Sequence, residues 1–404
     1  MHKHAILQLS GLTEFFAERY GLMGENKRYA AVYRFLRAVL SPLFALRYNY
    51  HTRPLPLLPK PCIVIANHAM DLDFMLLGYS FPQPMTFVIG ETLFQNKLLR
   101  RFLVFIHDPV IISKAGTDGA AVLEILRRLR KGQNICLFAE GNTSFDGVTG
   151  PIPKGTAALV RASRASLVTF RLEGGYLTHP RWAYSTRRGV CRGEVARLYP
   201  PDELRAMGDE ALNAAIARDI HVDACLDQLR RPVAYNGRQR ARGLEHALYL
   251  CPSCKAIDTL QGSGQHIHCQ SCGFSARFTP FGSFDKPSPY ANIKQWVRAQ
   301  KEYLGQMFET DASAMLRDEG QTLWQIQPDH SLRQITRGCF TMGQNGLSIG
   351  EYHLELPDIA GMAIFRRNLL MFTDKQGVHY QLDALPGLNA LKYRDLYQTL
   401  NHKE

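Results

Sequence analysis

The sequence has 404 residues, of which 46% are hydrophobic and 21% are charged. This length exceeds what one typical hydrophobic core holds and predicts two or three domains, while the composition excludes a disordered or low-complexity protein. The net charge of +12 lies before residue 251, because residues 1–250 hold 33 Lys and Arg against 21 Asp and Glu, and residues 251–404 hold 15 of each. The excess predicts an anionic partner for the first part: a membrane surface, a nucleic acid or an acidic substrate.

Amphipathic helices are predicted within residues 1–50. In residues 28–46 the apolar side chains form one helical stripe, made of Val32, Phe35, Leu36, Val39, Leu40 and Leu43. Arg34 and Arg37 fall on the other face, and Pro42 is expected to kink or end the helix. Such a basic helix can lie in a membrane interface, or it can pack on its own domain. No run of about 20 apolar residues occurs, so no bilayer-spanning helix is expected, and no secretory signal is visible.

Strand and helix patterns alternate in residues 51–235. Short apolar runs predict strands at 62–66, 86–89, 109–112, 135–138 and 167–172. Helical patterns lie between and after them, at about 73–80, 92–104, 117–131 and 155–164. Alternation of this kind predicts an α/β fold, with a mainly parallel central sheet flanked by helices.

Polar residues follow the first of these strands in CIVIANHAMDLDF, residues 62–74. Ligands of open parallel sheets bind beyond the carboxyl ends of the strands, where His68, Asp71 and Asp73 stand. A histidine is the usual general base near neutral pH, and a carboxylate on its far ring nitrogen fixes the tautomer. No G-x-S-x-G motif is present, so the base would have to activate a hydroxyl of the substrate. The alternative is that Asn67 and His68 cap a helix with Asp71 in its first turn.

A second strand, in ICLFAEGNTSFDG at residues 135–147, runs into a Glu-Gly-Asn-Thr-Ser segment. Together the two segments resemble the motifs of the glycerolipid acyltransferase family, which includes the 1-acylglycerol-3-phosphate acyltransferases. The first family motif, N-H-x-x-x-x-D, is matched by Asn67, His68 and Asp73. The third motif, similar to F-P-E-G-x-R-S, is matched by Phe138, Glu140, Gly141 and Ser144. The resemblance covers about residues 45–230 and implies a glycerolphosphate acyltransferase-like sheet.

This resemblance implies that His68 is the catalytic base and Asp73 its orienting acid. The implied substrate-binding residues are Asn67, Lys114, Glu140, Gly141, Ser144 and Lys154. Lys114 matches the second family motif loosely, because lysine replaces arginine in IISKAGTD. Thr143 stands where the family has an arginine expected to bind the acceptor phosphate, and Thr169 stands where the fourth motif has a proline. These departures leave the acceptor open.

The implied reaction moves an acyl group from acyl-CoA or acyl-carrier protein to a hydroxyl of a lysophospholipid in phospholipid biosynthesis. The family's default acceptor is 1-acyl-sn-glycerol-3-phosphate. Backbone N–H groups near the Glu140–Gly141 turn are expected to hold the acceptor or the developing oxyanion, and the step needs no metal or redox cofactor. The alternatives are a non-phosphate lipid acceptor and a non-catalytic membrane adaptor.

Four cysteines form a C-x2-C-x14-C-x2-C pattern, made of Cys251, Cys254, Cys269 and Cys272. Two such pairs bind one tetrahedral Zn2+ through four thiolates, so the pattern predicts a closed, structural zinc site and resembles a zinc ribbon. His266 and His268 lie beside Cys269, and either could replace a cysteine, although exposed strand positions are favoured. The zero net charge from residue 251 onward argues against a nucleic-acid partner.

Short β runs and a final helix, LNALKYRDLYQTLN, fill the last part of the chain. This order resembles a small β-barrel-like module of the pleckstrin-homology or GRAM kind, which could bind lipid headgroups or a protein, or pack on the enzyme. The predicted parts are N-terminal helices at 1–50, an acyltransferase domain at 51–235, a zinc ribbon with a basic linker at 236–285, a linking helix at 286–310 and the β module at 311–404. We expect a cytoplasmic protein, peripheral on the cytoplasmic face of an anionic membrane, with reduced cysteines.

Overall fold

The computed structural model describes residues 27–53, 55, 57–90, 109–112, 119–329, 331–382 and 388–401. The helix predicted at 92–104 and the loose second motif around Lys114 lie outside the described residues. Within the described part, no helix is both long enough and apolar enough to cross a membrane.

A seven-stranded sheet forms the centre of the first part of the chain. Its strands are β1 Tyr50–Thr52, β2 Cys62–Ala66, β3 Thr86–Gly90, β4 Val110–Ile112, β5 Ile135–Phe138, β6 Ser166–Glu173 and β7 Cys191–Tyr199. They lie in the order β1-β7-β6-β2-β5-β3-β4, and β6 with β7 is the antiparallel pair in this mainly parallel sheet. All five residues of β2 are buried, as its unbroken apolar run requires of a strand covered on both faces. The predicted α/β sheet is therefore confirmed.

Helices cover both faces of this sheet. They are α1 Lys27–Tyr48, α2 Asp73–Ser80, α3 Gly119–Arg130, α4 Gly155–Ser163, α5 Gly175–Thr178, α6 Pro201–Ala206, α7 Asp209–Ile220 and α8 Ala224–Arg230. Pro42 lies inside α1, so it does not end that helix. The side chain of Asp223 caps α8 by accepting the N–H groups of Cys225 and Leu226.

The cysteine-rich segment folds into a small antiparallel sheet. Its strands β8 Leu260–Ser263, β9 His266–Cys269 and β10 Ser275–Arg277 lie in the order β10-β9-β8. Helix α9, Ile293–Thr310, follows the sheet, and the side chain of Asn292 caps it by accepting the N–H of Gln295.

The last part of the chain is a second seven-stranded sheet closed by a helix. Its strands are β11 Met315–Ile326, β12 Leu332–Gly343, β13 Gly346–Ile349, β14 Tyr352–Glu355, β15 Ile359–Phe365, β16 Leu369–Asp374 and β17 His379–Leu382. They pair antiparallel in the order β14-β13-β12-β11-β17-β16-β15. Helix α10, Ala390–Asn401, follows. We call residues 311–401 the C-terminal module.

One buried apolar cluster connects these parts. It runs from the end of the first sheet through the cysteine-rich segment to the C-terminal module, and it includes Tyr176, Trp182, Tyr249, Trp296, Phe340 and Leu396. Trp182 and Trp296 are fully buried. These parts therefore share one core, and the first sheet adds separate clusters on its two faces.

Candidate active site

The two motifs seen in the sequence meet because their strands are neighbours. Strands β2 and β5 pair in parallel, with Ala66 opposite Phe138, so the residues that follow both strands lie at the same sheet edge. The Glu140 carboxylate joins the two ends, since Oε1 accepts the N–H of His68 at 2.7 Å. Its second oxygen, Oε2, accepts the N–H of Gly150 at 2.6 Å. Glu140 therefore holds the catalytic-site backbone in place from inside the protein.

His68 and Asp73 form the predicted pair. Nδ1 of His68 lies 3.1 Å from Oδ2 of Asp73, whose side chain is fully buried. The same oxygen accepts the N–H groups of Ala69 at 2.5 Å and Met70 at 2.8 Å. Asp73 is the first residue of α2, where the helix dipole also favours a negative charge. These backbone hydrogen bonds hold the carboxylate in place independently of its contact with the imidazole.

Asp71 differs from Asp73 in its surroundings. It is exposed and lies in a turn just before α2. The structure therefore assigns the contact with His68 to Asp73 and leaves Asp71 at the surface.

The imidazole of His68 forms part of the wall of a cleft. Its ring stacks on that of Phe138, with centroids 4.3 Å apart and planes inclined by 19°. The side chain keeps 17% of its surface exposed. The cleft is small and partly open to solvent, and is lined by Asn67, His68, Ala69, Glu140, Ser144, Gly147, Val148, Thr149, Leu172, Gly174, Tyr176, Val222 and Ala224. A small polar group can therefore reach the histidine from solvent.

The pKa of the buried Glu140 carboxyl is shifted upward in this site. Burial of the carboxyl raises its pKa to about 7, although the N–H groups of Gly150 and His68 stabilise the charged form. The nearby charges of Asp73 and Asp146 raise the pKa further. A shifted carboxyl in a cleft is typical of functional sites, but here both oxygens also support the backbone.

Three further predicted residues lie at the site and are bonded within the protein. The Asn67 amide exchanges two hydrogen bonds with the backbone of Leu172, at 2.9 and 2.7 Å, so it ties β2 to the end of β6. Ser144 Oγ donates to Asp146 and accepts the N–H of Gly147. The N–H of Gly141 donates to the Phe138 carbonyl at 3.1 Å, so it is not free to bind an oxyanion.

Lys154 lies apart from this group. Its side chain is exposed, it does not line the cleft, and its carbonyl accepts the side-chain N–H of Asn213. Lys114 falls outside the described residues. Among the six predicted substrate-binding residues, the structure therefore brings Asn67, Glu140, Gly141 and Ser144 together with His68.

The sequence analysis missed the part of the cleft that follows β6. The Tyr176 hydroxyl donates to the Phe145 carbonyl at 2.8 Å and accepts the indole N–H of Trp182 at 3.1 Å. Gly147 has φ +85° and would place a Cβ 2.7 Å from the Tyr176 ring, so glycine is required there. Residues that follow β6 could have been included by the strand-end argument, because β6 is also parallel to β2.

The four predicted metal ligands also come together. The sulfur atoms of Cys251, Cys254, Cys269 and Cys272 all lie within 4.8 Å of one another. Two of the separations, Cys251–Cys272 and Cys254–Cys269, are 3.7 and 3.8 Å. A tetrahedral ion with bonds of about 2.3 Å to sulfur requires sulfur atoms roughly 3.8 Å apart, so this cluster has the dimensions of a four-thiolate metal site.

Part of this chain is similar to a known protein family. Residues 49–173 match the Acyltransferase protein family, and this range holds β2, β5 and both motifs. The match supports the predicted likeness of this part of the chain to acyltransferases.

Two individual proteins are similar to this chain. An uncharacterized acyltransferase of Schizosaccharomyces pombe is 24% identical over 167 residues, which are 40% of this chain and 58% of that protein. The chain therefore spans less than two thirds of this curated relative. The crystal structure of the 1-acyl-sn-glycerophosphate (LPA) acyltransferase PlsC from Thermotoga maritima is 18% identical, and the match covers 55% of this chain and 89% of that one with a TM-score of 0.42.

Proposed function

We propose that this chain transfers a fatty acyl group from a thioester donor to a hydroxyl of a lipid acceptor. The observation that carries the proposal is the His68–Asp73 pair, 3.1 Å apart on the wall of an open cleft. A carboxylate at Nδ1 favours the tautomer that carries its proton on that nitrogen, and Nε2 is then left to accept a proton.

In this mechanism His68 takes the proton of the acceptor hydroxyl as the oxygen attacks the thioester carbonyl. The new C–O bond forms, the C–S bond breaks, and the imidazolium returns its proton to the leaving thiolate. The buried Asp73 stabilises the imidazolium while the charge exists. Loss of such a base typically lowers the rate by about 100- to 10,000-fold.

For the donor and acceptor we propose acyl-CoA or acyl-carrier protein and a lysophospholipid, with 1-acyl-sn-glycerol-3-phosphate first among the candidates. The excess of basic residues before residue 251 supports an anionic substrate. Thr143, which is buried and uncharged, supports the alternative of a non-phosphate lipid acceptor. The intact His68–Asp73 pair argues against a non-catalytic adaptor.

The test is an acyl-transfer assay with the purified full chain. Labelled acyl-CoA and labelled acyl-carrier protein are each offered with a panel of phosphate-bearing and phosphate-free lysolipids, and the products are identified by mass. We expect acylated product with the wild type and none above background with His68→Ala. Product formation by His68→Ala at the wild-type rate would refute the mechanism, and the panel identifies the acceptor.

We also propose that α1 places the enzyme on the cytoplasmic face of a membrane. One face of α1 packs on the domain, because Tyr33 is fully buried and its hydroxyl donates to the Phe81 carbonyl at 3.0 Å. The other face exposes an apolar row formed by Phe35, Val39, Leu43 and Leu46, which are 67%, 44%, 55% and 85% exposed. An exposed apolar row beside basic residues suits the interface of an anionic bilayer.

The cysteine cluster and the C-terminal module complete the proposal. Cys251, Cys254, Cys269 and Cys272 would hold one Zn2+ as a closed structural site, so the ion would support folding of the ribbon and take no part in acyl transfer. The strand order and final helix of the C-terminal module support its likeness to pleckstrin-homology or GRAM domains. Recognition of lipid headgroups by this module belongs to the same proposal.

A further inference from the structure

The loop that carries the third motif is in contact with the C-terminal module. Arg181, in the segment between α5 and β7, is 2% exposed and stands between the two. Its Nη1 donates to the Thr143 carbonyl of the loop at 2.8 Å. Its Nε and Nη2 donate to the Arg366 carbonyl at 3.0 and 2.6 Å, and Nη2 also donates to the Ile364 carbonyl at 2.8 Å.

These bonds are unusual for a buried cation because carbonyl oxygens accept them all. No carboxylate pairs with Arg181 among the described residues, and burial lowers its pKa to about 9. The guanidinium also lies over the Phe145 ring, 4.2 Å from its centroid. Burying a charge costs free energy, and the planar fork of arginine offsets that cost by bonding two loops at once.

The hairpin between β15 and β16 is shaped to meet Arg181. Arg366 adopts φ +52°, which turns the chain so that its carbonyl faces Arg181 while its own side chain stays exposed. Arg367 fixes the hairpin from the other side, because its Nε donates to the Ala183 carbonyl at 2.8 Å. From α10, Arg394 lies 5.3 Å from the centroid of the Phe145 ring.

The loop of residues 140–147 also bonds directly to the backbone of His68. The N–H of Ser144, next to Thr143, donates to the His68 carbonyl at 3.3 Å. A continuous set of hydrogen bonds therefore runs from the β15–β16 hairpin through Arg181 and the loop to His68. Tyr176 bonds the same loop at Phe145 and lines the cleft.

We infer that Arg181 is a positioning residue: it holds the loop of residues 140–147 in its working geometry by tying it to the β15–β16 hairpin, so the C-terminal module supports the geometry of the active site. This inference rests on the proposed acyl transfer. A displacement of about 1 Å at a reacting centre can lower a rate about 100-fold, so a residue that touches no substrate can still control turnover.

Four variants of the full chain test the inference. Arg181→Lys keeps the charge but loses the fork, and Arg366→Pro forces φ to negative values and moves the carbonyl. Arg366→Gly removes the exposed side chain and keeps the left-handed turn. Arg240→Lys is the matched control, because Arg240 is also buried and bonded to carbonyls, those of Gly237 and Phe278, outside the loop.

We expect Arg181→Lys and Arg366→Pro to lower kcat by about 10- to 100-fold with KM near the wild-type value. Arg366→Gly and Arg240→Lys should keep kcat within about twofold after correction for the folded fraction. Hydrogen exchange of residues 140–147 should accelerate in the first two variants and stay unchanged in the other two. This second measurement does not depend on turnover.

Wild-type kcat and unchanged exchange in Arg181→Lys and Arg366→Pro would overturn the inference, while a lack of acyl transfer in the wild type would overturn the proposed function instead. An equal loss in Arg366→Gly and Arg366→Pro would also overturn it, since that would assign the effect to the exposed side chain. If Arg181→Lys fails to fold, the comparison of Arg366→Pro with Arg366→Gly tests the inference alone.

Discussion

At the residue scale, the site depends on which carboxylate supports the histidine. Two aspartates lie within five residues of His68, and the sequence could favour Asp73 only through a family resemblance. The structure separates them, because Asp73 is fully buried against Nδ1 and two backbone N–H groups, whereas Asp71 is exposed. Their replacement by asparagine should therefore have unequal effects.

Asp73→Asn is expected to lower kcat by about 100- to 10,000-fold, because an amide no longer fixes the tautomer or stabilises the imidazolium. Asp71→Asn should stay within about threefold of the wild type, since its side chain is exposed. Steady-state kinetics at saturating donor and acceptor check both variants. A larger loss in Asp71→Asn than in Asp73→Asn would show that the partner of the base is misassigned.

Glu140 predicts a pH dependence of stability. Folding raises the pKa of its carboxyl from 4.5 to about 7. A raised pKa stabilises the folded state fully at pH values below the unfolded pKa, and this contribution is lost as the pH rises through 7. The shift corresponds to about 3 kcal/mol.

Glu140→Gln should remove this dependence. Between pH 4.5 and a pH above 7, the free energy of unfolding of the wild type should fall by about 3 kcal/mol relative to that of the variant. Urea unfolding of both proteins at several pH values measures the difference, and contributions from the other titrating groups cancel. Parallel curves for the two proteins would mean that folding does not shift the pKa of Glu140.

At the scale of elements, strands β2 and β5 could be predicted because each is an unbroken apolar run bounded by polar residues. Strand β7 could not be predicted in this way, because it is partly exposed and includes charged residues such as Arg192 and Glu194. It lies between β1 and β6 in the sheet. Helix α1 was predicted with one apolar stripe and two alternative partners. The structure divides that stripe, so one face packs on the domain and Phe35, Val39 and Leu43 face outward.

The outward face of α1 predicts a specific change in vesicle binding. Phe35→Ser and Leu43→Ser should each weaken binding to anionic vesicles by about tenfold or more, because burial of such a side chain stabilises by about 1.5–3 kcal/mol. Leu123→Ser on α3 is the matched control, since Leu123 is 69% exposed on a different helix. Vesicle co-sedimentation at low and high salt measures the effect, and salt should weaken wild-type binding. An equal loss of vesicle binding in Leu123→Ser would mean that α1 is not the specific site of membrane contact.

At the scale of the whole molecule, the pair of His68 and Asp73 and the four cysteines could be located from the sequence because short motifs carry them. The contact of Arg181 with residues 364 and 366 could not, because partners 183 and 185 residues apart leave no local pattern. The shared core could not be predicted for the same reason. Cys251 and Cys269 are buried in one cluster with Tyr176, and only the tertiary structure shows this.

That shared core predicts a wide effect of metal removal. A structural zinc site contributes about 10 kcal/mol in small peptides, which is comparable with the stability of a whole domain. Chelation, or Cys254→Ser at an exposed ligand position, should therefore lower the thermal unfolding midpoint and reduce acyl transfer together. Calorimetry and metal analysis check this, with one Zn2+ per chain in the untreated protein. Full turnover in a metal-free chain would show that the active site does not depend on metal binding by the four cysteines.

The distance between Arg181 and its hairpin partners has a consequence during protein synthesis. Arg181 and Ile364 are 183 residues apart, so the ribosome needs roughly 10–40 s to pass from one to the other at about 5–20 residues per second. His68 and the loop of residues 140–147 leave the ribosome well before the carbonyls of residues 364 and 366 can receive the guanidinium. In the nascent chain, the proposed acyltransferase site therefore exists for a time without the hydrogen bonds from Arg181 to the β15–β16 hairpin. A translation pause before residue 364 would prolong that state.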